Sequence, residues 1–368
     1  MTNEQDGQFL TLHEFVKSAK MRLNPMIWDY LVGASETETT MRRNRLSLDT
    51  IALRPRVLRD VSKIDTSASF LGKLLRLPVV LAPVGSLQSF EAGGGATAAK
   101  AIENFGAGMM LSSVSDPGLE AVREAAPKGC LVFQLYVRGD DTFVDSYARR
   151  AIEAGYDAFA ITVDTAVYSR RERDIAKRFV KYWRAEATGM NYQAALSWKD
   201  IARFKKVHKI PLILKGIGTA EDAKIAIEHG VDVIYVSNHG GRQLDHGLGA
   251  MDVLGEIVDV VQGRARVVVD GGFSRGSDIV KAVAMGADAV GIGRLYCYAL
   301  AAGGERAVVR MLEILEDEVR SAMGLVGVTE LKQLNRSYLS ANAPAVNDTH
   351  VHSAYPLLNL DDPGYGGR

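Results

Sequence analysis

From residue 77 onward, short apolar runs alternate with stretches of helical periodicity. The runs are LPVVLAPV (77–84), GMMLSSV (108–114), CLVFQLYV (130–137), DAFAITVD (157–164), PLILKGI (211–217), DVIYVSN (232–238), RVVVDGG (266–272) and DAVGIGR (288–294). They are continuously apolar rather than alternating, which predicts parallel strands covered on both faces. Between them, TAEDAKIAIEHG (219–230) carries a Thr cap, an acidic first turn and a terminal Gly, and GSDIVKAVAMG (276–286) has the same form. Eight strand–helix units predict an α/β protein, a (β/α)8 TIM barrel with an N-terminal helical capping segment. The alternative is a doubly wound open sheet. No early strand is followed by GxGxxG opening a helix, which speaks against a dinucleotide-binding version of it.

The whole chain, 1–368, reads as a single domain: a cap (1–76), the barrel (77–340) and an irregular tail (341–368). The cap holds a helical stretch, LHEFVKSAKMRL, then Pro25 and MIWDYLVGASETETTMRRNRLSLDTI. It is expected to cover the bottom of the barrel and send one segment to its top. The interval 178–197, with Tyr182, Trp183, Met190 and Tyr192, is expected to form a lid. The tail is rich in turn residues and is expected to lie irregularly against a neighbouring subunit.

Composition narrows the function classes. Lys plus Arg equals Asp plus Glu at 44 each, so no electrostatic footprint for nucleic acid or an anionic membrane is expected. No apolar run approaches the length of a membrane helix, and MTNEQDGQFL has no signal-peptide character. The two cysteines, Cys130 and Cys297, sit in apolar surroundings, as in a reducing compartment. A cytoplasmic protein without membrane insertion is expected.

Chemistry in a barrel of this kind belongs at the C-terminal ends of the strands. Those ends carry Gly85, Ser112, Gln134 with Tyr136, Thr162 with Asp164, Lys215, Ser237 with His239, Asp270 with Gly271 and Gly272, and Gly293 with Arg294. One polar strand end is a cap; eight on one rim make a site. The Gly-rich turns after the last two strands let backbone N–H groups approach a phosphate, with Arg294 adding charge. DGG by itself reads as a tight turn. Of seven histidines, His208 and His229 fall at helix ends, where a structural role is expected, and His350 and His352 read as solvated rather than metal-bound. Only His239 and His246 fall at the C-terminal end of a strand. Asp164 would set the tautomer of His239 and favour its protonated form. Arg242, with Arg171, could grip a substrate carboxylate. Read without context, Arg171 in SRRERDIAKRF is a solvated charge.

SNHGGRQLD (237–245) resembles the signature of the FMN-dependent α-hydroxy-acid oxidase/dehydrogenase family. WDYLVGAS, RRN, RPRVLRDVS, LAPVG, LSS, FQLYV, TVDT, RRERDIAKRF, SWKDI, LKGI, DGG and IGR follow the family's order from about residue 8 to about 340. The resemblance implies that an (S)-2-hydroxy acid is oxidised to the 2-oxo acid, with electrons passing to N5 of FMN and then to oxygen or a quinone-like acceptor. It implies His239 as base, held by Asp164. Tyr30, Tyr136, Arg171 and Arg242 would bind substrate. Pro83, Val84 and Gly85 would line the flavin, with Gly85 facing N5. Ser112, Gln134 and Thr162 would hydrogen-bond its ring system, with Lys215 near N1 and O2 and Ser237 in support. Asp270 would take the ribityl chain, and Gly271, Gly272, Gly293 and Arg294 the phosphate. A homotetramer or homo-octamer is implied as well.

Departures from the family pattern bear on both ends of the site. Ser274 stands where the family has an arginine, so Arg275 is expected to replace it at the phosphate. Val114 replaces an aromatic residue, Ala166 a proline, and HGLGAMDVL lacks a common proline. They leave two alternatives open: the same chemistry on a larger hydroxy-acyl or peptide-derived metabolite, or a flavin-binding protein without turnover.

Overall fold

The computed structural model describes residues 9–179, 189–341, 343–344 and 354–355. Eight parallel strands close into a barrel: β1 (Val79–Leu81), β2 (Gly108–Ser112), β3 (Cys130–Leu135), β4 (Ala158–Thr162), β5 (Leu212–Ile217), β6 (Val233–Val236), β7 (Arg266–Val269) and β8 (Ala289–Ile292). Each falls inside one of the apolar runs, and β8 pairs with β1 through Val290 and Val79 to close the ring. The open-sheet alternative is thereby excluded. Register places Ser112 opposite Gln134 and Thr162 opposite Lys215. Polar strand ends from neighbouring strands therefore stand side by side at one rim.

The barrel interior is a packed core. Val80, Met110, Val132, Ile213, Val233, Tyr235 and Val268 fill it, and Ala160 and Ala289 leave room for the fully buried Tyr235. Phe70 and Leu75 join this cluster from the antiparallel hairpin Ala68–Phe70/Lys73–Leu75. Helices outside the strands form the second, larger cluster. Thr219 caps the helix Ala220–Glu228 by accepting from the Asp222 N–H, and Gly286 ends Gly276–Met285 in the left-handed region. Cys130 and Cys297 are buried free thiols, and burial raises both above the usual thiol range. Among the described residues no helix is long and apolar enough to cross a membrane.

Among the described residues three helices precede the barrel: α1 (Leu12–Arg22), α2 (Pro25–Val32) and α3 (Thr39–Asp49). α1 packs along the helix Arg294–Val326, which is interrupted at Gly303 and Gly304. α2 and α3 lie over the C-terminal mouth of the barrel. The Tyr30 hydroxyl of α2 donates to the Gly85 carbonyl at 3.0 Å. The side-chain amides of Asn44 (α3) and Asn238 donate to each other at 2.8 and 2.7 Å. Arg45 makes a two-point ion pair with Asp278 at 2.7 and 2.8 Å and a second pair with Asp49. Gly271 and Gly272, with φ of 111° and 84°, pack against α3 so closely that a Cβ would lie 2.8 and 2.9 Å from atoms of Asn44. These glycines serve the approach of α3 as well as any anion.

Short helices Glu172–Ala176 and Met190–Ala195 flank residues 180–188, and Tyr182 and Trp183 lie outside the described residues, as do His350 and His352. Of the tail, Ala354 and Tyr355 are buried against this chain's own α1 and the turn after β7.

Asp278→Ala should lower unfolding stability by about 3 kcal/mol, the low end for breaking a buried pair because Asp49 still holds Arg45. Urea denaturation followed by circular dichroism measures it.

Candidate active site

The mouth of the barrel opens into a cavity of about 900 Å³. That is the upper range of small-molecule sites and suits a nucleotide cofactor with a substrate beside it. Tyr30, Val84, Gly85, Tyr136, Arg171, Lys215, His239, Arg242 and Asp270 all line it.

His239 sits in a one-turn 3-10 segment after β6 with a φ of 60°, and Gly240 and Gly241 follow with φ of 64° and 77°. Three successive left-handed residues reverse the chain at once, so the imidazole and the Arg242 guanidinium both face the cavity. Nδ1 of His239 lies 3.0 Å from Asp164 Oδ1, and Nε2 lies 3.3 Å from the Tyr136 hydroxyl. An ionised Asp164 accepts from Nδ1–H, which leaves the lone pair on Nε2. Burial lowers the His239 pKa, with Asp164 opposing and Lys215 adding to the shift. Burial raises the Asp164 pKa, but His239 and Lys215 outweigh it and hold the carboxyl below its usual range. The imidazole is therefore neutral and the carboxylate charged at pH 7.

Gly216 makes this pair possible. Its φ is 113°, and a Cβ there would lie 2.6 Å from the Asp164 Cβ. Strand β5 passes Asp164 closely because the position carries no side chain. Gly216 lies within the run PLILKGI, and its contact, between the segment after β4 and β5, has no local signature.

Arg171 and Arg242 are close enough that Arg171 lowers the pKa of Arg242, which burial and this repulsion together bring down to about 10. Arg242 donates to the Tyr30 and Gly33 carbonyls and stacks over the Tyr30 ring at 5.0 Å. Its Nη2 is buried with no hydrogen-bond partner among the described residues. Arg171 is 8% exposed, so it is not the solvated charge its sequence neighbourhood suggests. It donates to the Arg242 carbonyl at 3.2 Å and lies over the Tyr168 ring. Two buried cations held by carbonyls and rings, one with a spare donor, are built for an anion.

Deeper in the rim, Lys215 Nζ donates to Ser237 Oγ at 3.1 Å, and Ser237 Oγ donates to Asp270 Oδ1 at 2.6 Å. The His239 N–H also donates to Ser237. Gln134 and Thr162 are fully buried, yet both amide atoms of Gln134 and the Thr162 hydroxyl have no partner among the described residues. Ser112 is buried at the same level. Gln193 accepts from the Val137 N–H and donates to the Thr162 carbonyl, a bracing role unseen in the sequence.

The rest of SNHGGRQLD is scaffold. Asp245 accepts from the Thr37 N–H and hydroxyl and from the Thr40 N–H, which anchors the start of α3 and holds the carboxyl at about 2. Gln243 donates to the Asp164 and Val167 carbonyls. His246 is on the surface, 62% exposed, and outside the site. His208 pairs with Asp145 and His229 with the Ile225 carbonyl.

A model of the FMN-dependent dehydrogenase family matches residues 19–341. Glycolate oxidase of Spinacia oleracea is 37% identical over 357 residues, covering 91% of this chain and 96% of the relative. L-lactate oxidase of Nostoc sp. is 38% identical over 356 residues, covering 90% and 98%. A solved structure of mandelate oxidase superimposes with a TM-score of 0.85 at 36% identity, covering 91% of this chain and all of that one. The chain belongs to the FMN-dependent dehydrogenase family. It is an FMN-dependent α-hydroxy-acid oxidoreductase.

The residues present fit FMN. A buried amide with neither end paired costs roughly 1–3 kcal/mol per group. The edge of a flavin ring, which both donates and accepts, would satisfy Gln134 and Thr162. Lys215 could stabilise negative charge on the ring, and Asp270 could accept from a ribityl hydroxyl.

The phosphate end differs from expectation. Arg275 pairs with Glu318, donates to the Ala354 carbonyl and does not line the cavity. It is drawn to a largely buried carboxylate on the neighbouring helix and does not take the place of the missing arginine. The Arg294 guanidinium donates to the carbonyls of Leu31, Gly33 and Gly240 at 3.2, 2.8 and 3.1 Å. The end of α2 leaves carbonyls unpaired, with the negative end of the helix dipole behind them, and this draws the cation. Of the expected phosphate set, Gly271, Gly272, Gly293 and Arg294 line the cavity, Arg294 with its guanidinium engaged by these carbonyls.

Gly216→Ala should cost about 1–3 kcal/mol of stability through its left-handed backbone and push Asp164 from His239. A lower melting temperature together with a changed His239 NMR titration is the expected result.

Proposed function

We propose that the protein oxidises an (S)-2-hydroxy acid to the 2-oxo acid with His239 as the base. The observation that carries this reading is the contact of His239 Nδ1 with Asp164, which leaves the Nε2 lone pair to accept, beside Arg171 and Arg242, which make no ion pair with an acidic side chain among the described residues. Arg242, through its unpartnered Nη2, and Arg171 hold the substrate carboxylate. The Tyr136 hydroxyl, which shares Nε2, positions the substrate oxygen, and Tyr30 closes the site from α2. His239 Nε2 takes one proton as C–OH becomes C=O. FMN, when bound, takes up the two electrons and the second hydrogen. The imidazolium formed is stabilised by Asp164, and exclusion of water strengthens the arginine–carboxylate contact. The electrons pass on to oxygen or a quinone-like acceptor.

The names of the relatives point to glycolate, L-lactate and mandelate as the acids to try. A second reading, a bulkier hydroxy acid, is favoured by one observation. Val114 stands against Gly85, where a Cβ would lie 2.8 Å from its Cγ2, and its small side chain leaves more of the cavity open.

Anaerobic mixing with each acid tests both. Loss of visible flavin absorbance with one acid supports the reaction, and return of colour in air identifies oxygen as the acceptor. Failure with every small acid, but loss of colour with a bulky one, selects the second reading. His239→Ala should slow flavin reduction roughly 10²- to 10⁴-fold while FMN stays bound; an unchanged rate removes His239 as base.

A pH profile gives an independent check. The base works when neutral, and burial sets its pKa below 6.5. Activity should therefore hold at pH 7 and fall only as pH drops through that lowered value. Asp164→Asn removes the charge that opposes this shift, so the acid limb should move to still lower pH and the plateau should drop by at least about 10².

A further inference from the structure

The cavity has a second end, opposite the His239 cluster. There the turns after β7 and β8 face α1 and the two buried tail residues. Arg275 is on Glu318, and Arg294, though it lines the cavity, donates to three carbonyls; His13 of α1, Ser274 and Tyr355 line the wall as well. Both ring nitrogens of His13 are buried without a partner among the described residues. Tyr355 is 4% exposed, and its hydroxyl likewise has no partner. The two rings meet edge to face, with centroids 5.7 Å apart and planes at 76°. The Ser274 hydroxyl makes a long contact, 3.4 Å, to the Gly272 carbonyl, and it lies near enough to the Tyr355 hydroxyl to act on its titration. Exposed Lys17 and Lys20 stand at the opening and add positive potential.

Buried polar groups without partners are costly, and three residues carrying such groups or a weakly used hydroxyl converge here on a glycine turn. A tyrosine hydroxyl, a serine hydroxyl and one N–H of a histidine in either tautomer are all donors. A ligand that satisfies them is rich in acceptors and anionic. Of the parts of FMN, only the phosphate has this chemistry. We propose that His13, Ser274 and Tyr355 grip the phosphate of FMN in this chain, in place of the arginines of the family pattern. The C-terminal segment is then part of the cofactor site, and the substitution at Ser274 is matched by residues from both ends of the chain. The inference rests on FMN as cofactor and not on the identity of the acid oxidised.

The test compares FMN with riboflavin, which lacks the phosphate. Full-length protein freed of flavin is titrated with each, and binding is read from quenching of flavin fluorescence. Wild-type protein should bind FMN more tightly than riboflavin. Tyr355→Phe, which removes one hydroxyl and keeps the ring, should raise the FMN Kd about tenfold, the value of one hydrogen bond to a charged group. His13→Ala should do at least as much. Riboflavin affinity should not change in either variant. A wild-type protein that does not distinguish FMN from riboflavin would overturn the proposal. So would variants that weaken both ligands equally, which is the signature of a structural role, and so would loss of FMN selectivity in Arg275→Ala but not in Tyr355→Phe. Since binding alone is read, failure to find an acid that is turned over leaves this result intact.

Discussion

Three arginines at the mouth of the barrel, Arg171, Arg242 and Arg294, make no ion pair with an acidic side chain among the described residues, and the structure around the cavity depends on them. Arg242 and Arg294 both donate to the Gly33 carbonyl just past the end of α2, and Arg171 donates to the backbone of Arg242. A carboxylate at this point would neutralise the charge and close the anion site. Carbonyls at a helix end supply partial negative charge without doing so. The arrangement keeps a positive field in the cavity, and it also binds α2 to the turn that carries His239. The cap and the His239 turn are thus joined by the same side chains that line the cavity.

The fold distributes its backbone freedom accordingly. His239, Gly240 and Gly241 turn the chain sharply after β6. Gly216 lets β5 pass behind Asp164, and Gly271 and Gly272 let α3 lie directly on the turn after β7. In each case the missing side chain belongs to a contact between distant segments. A stretch such as SNHGGRQLD therefore meets two demands. His239 and Arg242 face the cavity, whereas Gln243 and Asp245 hold backbone in place.

The two ends of the cavity depart from expectation to different degrees. At the His239 end the expected residues stand together: Asp164, Tyr136, Tyr30, Arg171 and Arg242 lie within one connected set of contacts. At the other end, two arginines expected there have other partners, and His13 and Tyr355 occupy the wall. An arginine goes where its charge finds the best carboxylate or carbonyl, and Glu318 and the end of α2 lie tens of residues away in sequence from the arginines they bind.

The sequence alone determined the barrel, because eight continuous apolar runs with helical intervals admit few other burials, and each strand lies inside its run. It also pointed to His239, Asp164 and Arg242, since a polar strand end is visible as a break in an apolar run. It could not rank Arg171, whose surroundings in the chain are charged while its surroundings in space are aromatic rings and backbone. It gave no sign of Gly216, Gln193, His13 or Tyr355 as parts of the site. Their roles arise from contacts across strands or between the two termini, and no local period or motif records such contacts. Only tertiary packing decides which buried polar groups find partners within the protein and which are left for a ligand.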